Sequence, residues 1–405
     1  MSSLRGWCHL CFLIGEFVDA EAFWAVLRDR WDKAPLEVQA SPVGVETAEA
    51  DIWQAIVCAA AGGPAMGVSV TASLEGSETT ETPDWLLPAA SDGGLDEYLR
   101  RVDERAAGRW WSCAFSGLQR VSVPLWDRAA ELASHVEDHL GVVPIGRTDV
   151  DVFIGRYKST KAGIHQDFAH NLSLTLRGPK RLVTWPPDCA DLLPARSAEY
   201  EHLLDKAVVL NGKPGGVTYL PPDEFHIGES PDAATIALNV VFFEVTRDPL
   251  EEALMPVRSL LNPVAPIRGR GDGSTMNPAA VLSAFDQIEK MLADRSAHRI
   301  SVARWLRSST SARLDAARPL TSTTSALPSR VRLRSGARLL YTSDPSNSSM
   351  LLYSCDVNVA AAAQTPFIET LLNDLATGSI VEPPPEDEGT QVLGTLHEWG
   401  GVESA

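Results

Sequence analysis

The chain has 405 residues, more than one ordinary domain holds, with 44% hydrophobic and 22% charged residues, a globular balance. Its formal net charge of −18 excludes nucleic acid as a default partner, because phosphate binding needs basic patches. No apolar run reaches the roughly 18 residues of a membrane span, and the six cysteines (Cys8, Cys11, Cys58, Cys113, Cys189, Cys355) are scattered as in a reducing cytoplasm.

In chain order, Cys8 and Cys11 form a C-x-x-C pair with no second pair to complete a zinc site. The apolar "WCHLCFLIG" around them is too short, and too directly continued by a helical pattern, for a signal peptide. Residues 16–36 read as a helix and an extended exit, with Phe23, Val26, Leu27 and Trp31 near helical spacing and Pro35 as breaker. "MGVSVTASL" (66–74) is strand-like, and adjacent Trp110 and Trp111 read as core rather than as a peptide groove. "WDRAAELASHVEDHLG" (126–141) is a helix with a glycine stop.

From 148 to 246 the pattern changes to short strands: "DVDVFIGRY", "LSLTLRG", "RLVTWP", "AVVLNG", "GVTYLP" and "TIALNVVFFEV". Gly and Pro punctuate them, as in an all-β barrel or sandwich. Beyond Arg247 the chain turns helical. "NPAAVLSAFDQIEKMLAD" has Asn277 as cap, Pro278 in the first turn, and one apolar face of Val281, Phe285, Ile288 and Leu292. That face suits either packing within the chain or a homodimer through 279–292, which is favoured. A Ser/Thr/Ala-rich stretch (295–330) leads to a final module of two short helices around Gly378-Ser379 and a strand-like tail, similar to a winged helix. After Arg338 it has no Lys or Arg but ten acidic residues, the opposite of a DNA reader.

The chemistry concentrates in "GIHQDFAHN" (163–171). On an extended strand residues i and i+2 share a face, so His165 and Asp167 project together as an imidazole and a carboxylate. His170, His202 and His226 are the candidates for a third ligand. His226 follows a glycine turn, a strand and a Pro-Pro corner in "GGVTYLPPDEFHIGES", where a later strand of the same barrel would return it to the first two. His170 and His202 read as surface or supporting groups. Two histidines and one carboxylate on one face of an ion, with open positions for a keto acid and dioxygen, are the set used by non-heme Fe(II) oxygenases. A keto acid with a distal carboxylate needs a buried cation, and Lys180, thirteen residues beyond Asp167, is placed to be it.

The run "GIHQDFAHNLSLTLRGPKRLVTWPPD", with "PGGVTYLPPDEFHIGES" and "IALNVVFFE", resembles the JmjC-type 2-oxoglutarate-dependent oxygenases of the cupin superfamily. "FWAVLRDRWDKAPLEV" resembles the N-terminal helix of the protein-hydroxylating branch, and the order of modules resembles bacterial ribosomal-oxygenase-type members. The resemblance implies an α+β chain with a double-stranded β-helix (jelly-roll, JmjC) core. It implies a catalytic domain over 1–247 (flank 1–147, core 148–247), a helical region over 248–320 and a winged-helix-like module over 321–405. It implies Fe(II) on His165, Asp167 and His226, the 2-oxoglutarate carboxylate on Lys180, and polar groups near cosubstrate or metal at Asn171 and Asn239, with a further hydroxyl from Thr160 or Tyr157. The chain departs from the family at Gly216-Val217, where a Gly-Asp pair is usual, and at Glu224, where an aromatic residue is usual.

The implied activity is hydroxylation of a protein or peptide side chain in the cytoplasm, with no nucleic-acid or membrane partner. The competing readings are hydroxylation of a small molecule such as an amino acid, and a non-catalytic cupin-like module that merely holds a metal. A buried lysine beside the triad argues against the last.

Overall fold

The computed structural model describes residues 20–39, 49–75, 83–141, 146–159, 162–193, 199–243, 278–319, 326–385 and 387–405. Cys8, Cys11, the apolar segment around them, Thr160 and the Asn277 cap lie outside the described residues. The chain divides into two compact units, Met1–Glu244 and Val245–Ala405.

The first unit opens with α1 (Ala20–Arg30), β1 (Leu36–Val38) and α2 (Glu49–Gly62). α1 buries Phe23, Trp24 and Leu27, three residues of one helical stripe. After β2 (Ser69–Leu74) come α3 (Leu95–Ala106), β3 (Trp111–Ser116) and α4 (Val123–Leu140). α4 starts where the Ser122 hydroxyl accepts the Leu125 N–H at 3.4 Å, and stops at Gly141, whose φ of 68° is the left-handed geometry that glycine adopts without strain. Trp111 is buried, as core, and its indole donates to Asp103 at 2.7 Å.

The remaining strands are β4 (Thr148–Tyr157), β5 (His165–Gln166), β6 (Ala169–Arg177), β7 (Lys180–Trp185), β8 (Val208–Gly212), β9 (Val217–Leu220) and β10 (Phe225–Phe243). They make two antiparallel sheets that share one strand. The larger runs β1-β9-β6-β10-β4-β3-β2. The smaller is formed by the first part of β10, with β5 and β7 on either side and β8 beyond β7. β10 crosses from one sheet to the other at an irregularity between Ser230 and Thr235. Sheets β9-β6-β10-β4 and β5-β10-β7-β8, joined by alternate strands, are the winding of a double-stranded β-helix; β1 widens the larger sheet at one end, β3 and β2 at the other.

Register follows from alternation. Ser173, Asn239 and Asp151 are partners across β6, β10 and β4 and therefore share one face. The opposite face of the smaller sheet is closed by Ile164, Val183, Trp185, Leu193, Tyr200, Leu203 and Ile227. At the β6–β7 corner Gly178 has φ 63°, and an added Cβ would run into the Ala234 carbonyl; only glycine turns there without displacing β10.

The second unit contains α5 (Pro278–Ala293), α6 (Ser296–Thr310), β11 (Val331–Leu333), β12 (Leu339–Ser343), β13 (Met350–Cys355), β14 (Asn358–Ala363), α7 (Pro366–Ala376), α8 (Asp387–Glu398) and β15 (Val402–Ser404). β12, β13 and β14 form an antiparallel meander, and β11 pairs with β15. α7 and α8 bury Ile368, Leu372, Leu375, Leu393 and Leu396 with Leu351 and Tyr353. Two differences from the sequence reading stand out. The Ser/Thr/Ala-rich stretch after 295 holds α6, which packs on all three strands of the meander through a face that buries Leu306 and Thr310. For that reason 248–320 and 321–405 fall into one unit. No helix among the described residues is long and apolar enough to cross a membrane.

Candidate metal centre

The centre is built where β5 meets the first residues of β10. His165 and His226 are direct register partners across this pair, and Phe225 lies opposite Gln166. Their imidazole centroids stand 4.3 Å apart. Asp167 follows β5 immediately, and its backbone carbonyl accepts the Asp223 N–H at 3.1 Å, which ties the two segments together beside the site. The carboxylate of Asp167 reaches both rings: Oδ1 lies 3.7 Å from His165 Nε2 and Oδ2 lies 3.5 Å from His226 Nε2. The ligand atoms of the three residues all fall within 4.8 Å of one another.

Both imidazoles are oriented from behind. His165 Nδ1 is 2.9 Å from the Gly163 carbonyl, and His226 Nδ1 is 3.1 Å from the Glu224 carbonyl. A carbonyl only accepts, so each Nδ1 carries the proton and each Nε2 keeps its lone pair toward the common point. Burial, and secondly the neighbouring His165, push His226 down to about 4, so it is neutral and ready to ligate at pH 7. These donors fit a divalent transition ion: two neutral nitrogens and one anionic oxygen on one side, the other side facing a cavity.

That cavity has a volume of 290 Å³ and is lined by the triad, by Lys180, and by residues of β2, β3, β4, β6 and β10. Lys180 opens β7 and is buried. Its Nζ donates to Ser173 Oγ at 3.0 Å and lies 5.4 Å from the Phe153 ring centroid. Among the described residues no carboxylate forms an ion pair with it. Desolvation lowers its pKa to about 8. A buried ammonium with a hydroxyl and a ring for company is costly by itself and attracts an anion.

Among the described residues, three further polar atoms on the cavity wall are buried without a hydrogen-bond partner: Tyr157 OH, Asn171 Oδ1 and Asn239 Oδ1. Burial, and secondly Glu229, raise the Tyr157 phenol, so it stays a neutral donor. The residues expected from sequence at the metal (His165, Asp167, His226) and near the cosubstrate (Lys180, Asn171, Asn239, Tyr157) thus line a single cavity.

One sequence expectation changes. His170 is on strand β6, not on a surface loop: it is buried on the opposite face from Asn171, stacked 4.0 Å from Trp31 and bonded at 2.8 Å to the Tyr219 hydroxyl. Alternation along β6 sends it outward when Asn171 points inward. His202 is exposed in the 3₁₀ turn Glu201–Lys206. Sequence reasoning missed Ser173, Asp151 and Phe153. Ser173 was within reach, two residues past Asn171 on the same face. Asp151 carries a carboxyl raised to about 7 by burial first and then by Asp149, and its Oδ1 accepts the Gly117 N–H at 3.2 Å.

No family model and no curated protein matches the chain. Among solved structures it is similar to an X-ray structure of YcfD from Escherichia coli, at 13% identity over 94% of this chain and 97% of that one, with a TM-score of 0.49. It is similar over the same shares to YcfD described as a ribosomal oxygenase in complex with cobalt and 2-oxoglutarate (13% identity, TM-score 0.47) and with cobalt and succinic acid (13%, 0.45). At this identity no activity carries over from them.

Proposed function

We propose that the chain is a JmjC-type, Fe(II)- and 2-oxoglutarate-dependent oxygenase that hydroxylates a side chain of a protein or peptide. The observation that carries this reading is one cavity shared by a two-histidine, one-carboxylate triad and a buried lysine with no carboxylate partner among the described residues. A protein that only stored a metal would have no use for that lysine.

His165, Asp167 and His226 would hold the iron, and Lys180 with Ser173 the distal carboxylate of the keto acid. Bound together with dioxygen, iron and 2-oxoglutarate supply an oxidant strong enough to break an unactivated C–H bond, at the expense of decarboxylating the keto acid to succinate. The residues of this chain do the rest. The Gly163 and Glu224 carbonyls fix the tautomers of the two histidines. Lys180 would pair with the distal carboxylate of the keto acid and so set its orientation. Phe153, Leu182 and Leu220 keep that end of the cavity poor in water. Tyr157, Asn171 and Asn239 offer hydrogen bonds that nothing else among the described residues takes up.

A volume of 290 Å³ lies at the small end of ligand pockets, roughly 300–1,000 Å³. Once the keto acid is seated, the remainder suits the end of one side chain better than a whole second small molecule. This favours a polypeptide over a free amino acid as substrate. A homodimer through 279–292 belongs to the same reading: Phe285 and Leu292 of α5 are 58% and 52% exposed.

The test is anaerobic addition of 2-oxoglutarate to the Fe(II)-loaded protein. A metal-to-ligand absorption band, followed by succinate on admitting oxygen, supports the reading. Absence of both in protein shown to hold iron overturns it.

A further inference from the structure

β2 ends the larger sheet, with β3 on one side and no strand on the other among the described residues. Its free edge can be worked out bond by bond. Glu75 donates its N–H to the Trp110 carbonyl at 2.8 Å, continuing the β2–β3 register in which Leu74 faces Trp111 and Ser73 faces Ser112. In an antiparallel ladder the hydrogen-bonded positions alternate. Ser73 and Thr71 therefore turn their main-chain groups toward β3. Ala72, with Val70 and Leu74, turns its N–H and C=O away from the sheet, where no partner stands among the described residues.

The second observation joins that edge to the metal. Thr71, Ala72 and Ser73 all line the cavity that holds the triad. Side chains of consecutive strand residues alternate faces, so three in succession cannot all reach the cavity by their side chains. Thr71 and Ser73 do, being aligned through Ala114 and Ser112 with the cavity face of β4. Ala72 points its methyl the other way, so its contact with the cavity is its outward main chain. The cavity thus runs from His165, Asp167 and His226 to a row of free peptide groups.

We propose that this edge is the docking rail of the substrate, which binds as an extended polypeptide segment added to β2 as one more strand and delivers a side chain into the cavity. Peptide groups repeating every second residue are complementary to another extended backbone and to little else. The rail itself, Ser-Val-Thr-Ala-Ser-Leu, has no charge to repel a neighbour and no proline to block one. The net charge of −18 and Glu75 at the end of the strand favour a basic segment over an acidic one. The proposal rests on the oxygenase reading for what happens after docking, but not for docking itself.

The experiment separates the two. A random-sequence peptide library is selected on the full chain loaded with Mn(II) and 2-oxoglutarate under nitrogen, so that binding is read without turnover. The best binder is then remade with single backbone N-methyl groups along its length. Strand addition predicts a two-residue period, with about tenfold weaker binding at every second position and little change between. Ala72→Pro is the matching change in the protein. Its N–H is not used by β3, so proline is tolerated at this edge, while a docked strand loses its donor; binding should fall about tenfold while the far-ultraviolet spectrum stays as it was. If Ala72→Pro fails to fold, the N-methyl series on the unaltered chain decides alone. A flat N-methyl profile, a folded Ala72→Pro with full affinity, or no selected peptide overturns the proposal. So does a change of oligomeric state in Ala72→Pro without loss of peptide binding, which would assign the edge to a second copy.

Discussion

Lys180 and Ser173 are seven residues apart in sequence and belong to different sheets of the β-helix, yet Lys180 Nζ donates to Ser173 Oγ at 3.0 Å. The tight turn at Gly178 brings them together, and both are buried on the cavity wall.

Replacing that lysine is the sharpest check on the cosubstrate assignment. Lys180→Ala leaves a desolvated carboxylate unpaired, a loss of about 3–5 kcal/mol, or at least a hundredfold in the dissociation constant for 2-oxoglutarate. Iron binding should hardly change. Lys180→Arg should fall between, because a planar fork does not fit a pocket shaped around an ammonium. Anaerobic titration followed by the metal-to-ligand absorption band measures each constant, and an unchanged value in Lys180→Ala would remove the assignment.

The lowered pKa of Lys180 gives two pH effects of known sign. Affinity for 2-oxoglutarate should be level below about pH 8, where the ammonium is present, and fall as pH rises through about 8 and the lysine loses its charge. The folded protein without cosubstrate should gain stability over the same range. The unfolded chain keeps the proton up to the ordinary value of 10.5, so between about 8 and 10.5 it binds more protons than the folded one and the cost of the buried charge is relieved. Denaturant midpoints for the parent and for Lys180→Met, compared from pH 7 to 10, isolate this contribution; parallel curves would contradict it.

Loss of a ligand should abolish turnover without unfolding the chain. His165→Ala and Asp167→Ala remove one donor each from the short segment at β5 and leave the ladders of β4, β6, β7 and β10 untouched, so succinate formation should drop to the metal-free background while the far-ultraviolet spectrum stays as it was. Turnover surviving in Asp167→Ala would show that another carboxylate serves the metal.

Tyr157→Phe removes a buried hydroxyl that has no partner among the described residues. With the cavity empty this should leave stability unchanged or raise it, by about 1 kcal/mol. If the hydroxyl meets a bound ligand, the same change weakens 2-oxoglutarate or substrate. Melting temperatures with and without 2-oxoglutarate report both, and a destabilised ligand-free Tyr157→Phe would mean that the hydroxyl is already satisfied.

Much of the core was legible because its strands are short, alternate cleanly and are separated by Gly and Pro. "DVDVFIGRY" became β4 and "GVTYLP" became β9 almost residue for residue. β10 was harder. Its first part holds His226 and its second Asn239, and "SPDA" between them looks like a turn, so one strand read as two segments. The strand bends there instead of ending, a tertiary effect with no local signal. β3 was hidden for a related reason: "WSCAFS" is buried at every second residue, but its intervening serines and alanine give a weak alternation. His170 reads as a surface or supporting group, but it lies on β6 with parity opposite to Asn171, which turns it into the core. α6 was missed because its buried residues are Ala297, Leu306 and Thr310, only one of them large and apolar.

β10 passes through both sheets, and His226 sits on the part that leans against β5 while the rest is locked between β4 and β6. β5 has two residues and, among the described residues, pairs only with β10. An ion shared by His165, Asp167 and His226 is therefore also a rivet, pinning the shortest strand of the barrel to its longest. Without it, the amides of Ile164 to Asp167 should exchange with deuterium far sooner than those of β10; with it, the two should slow toward one another.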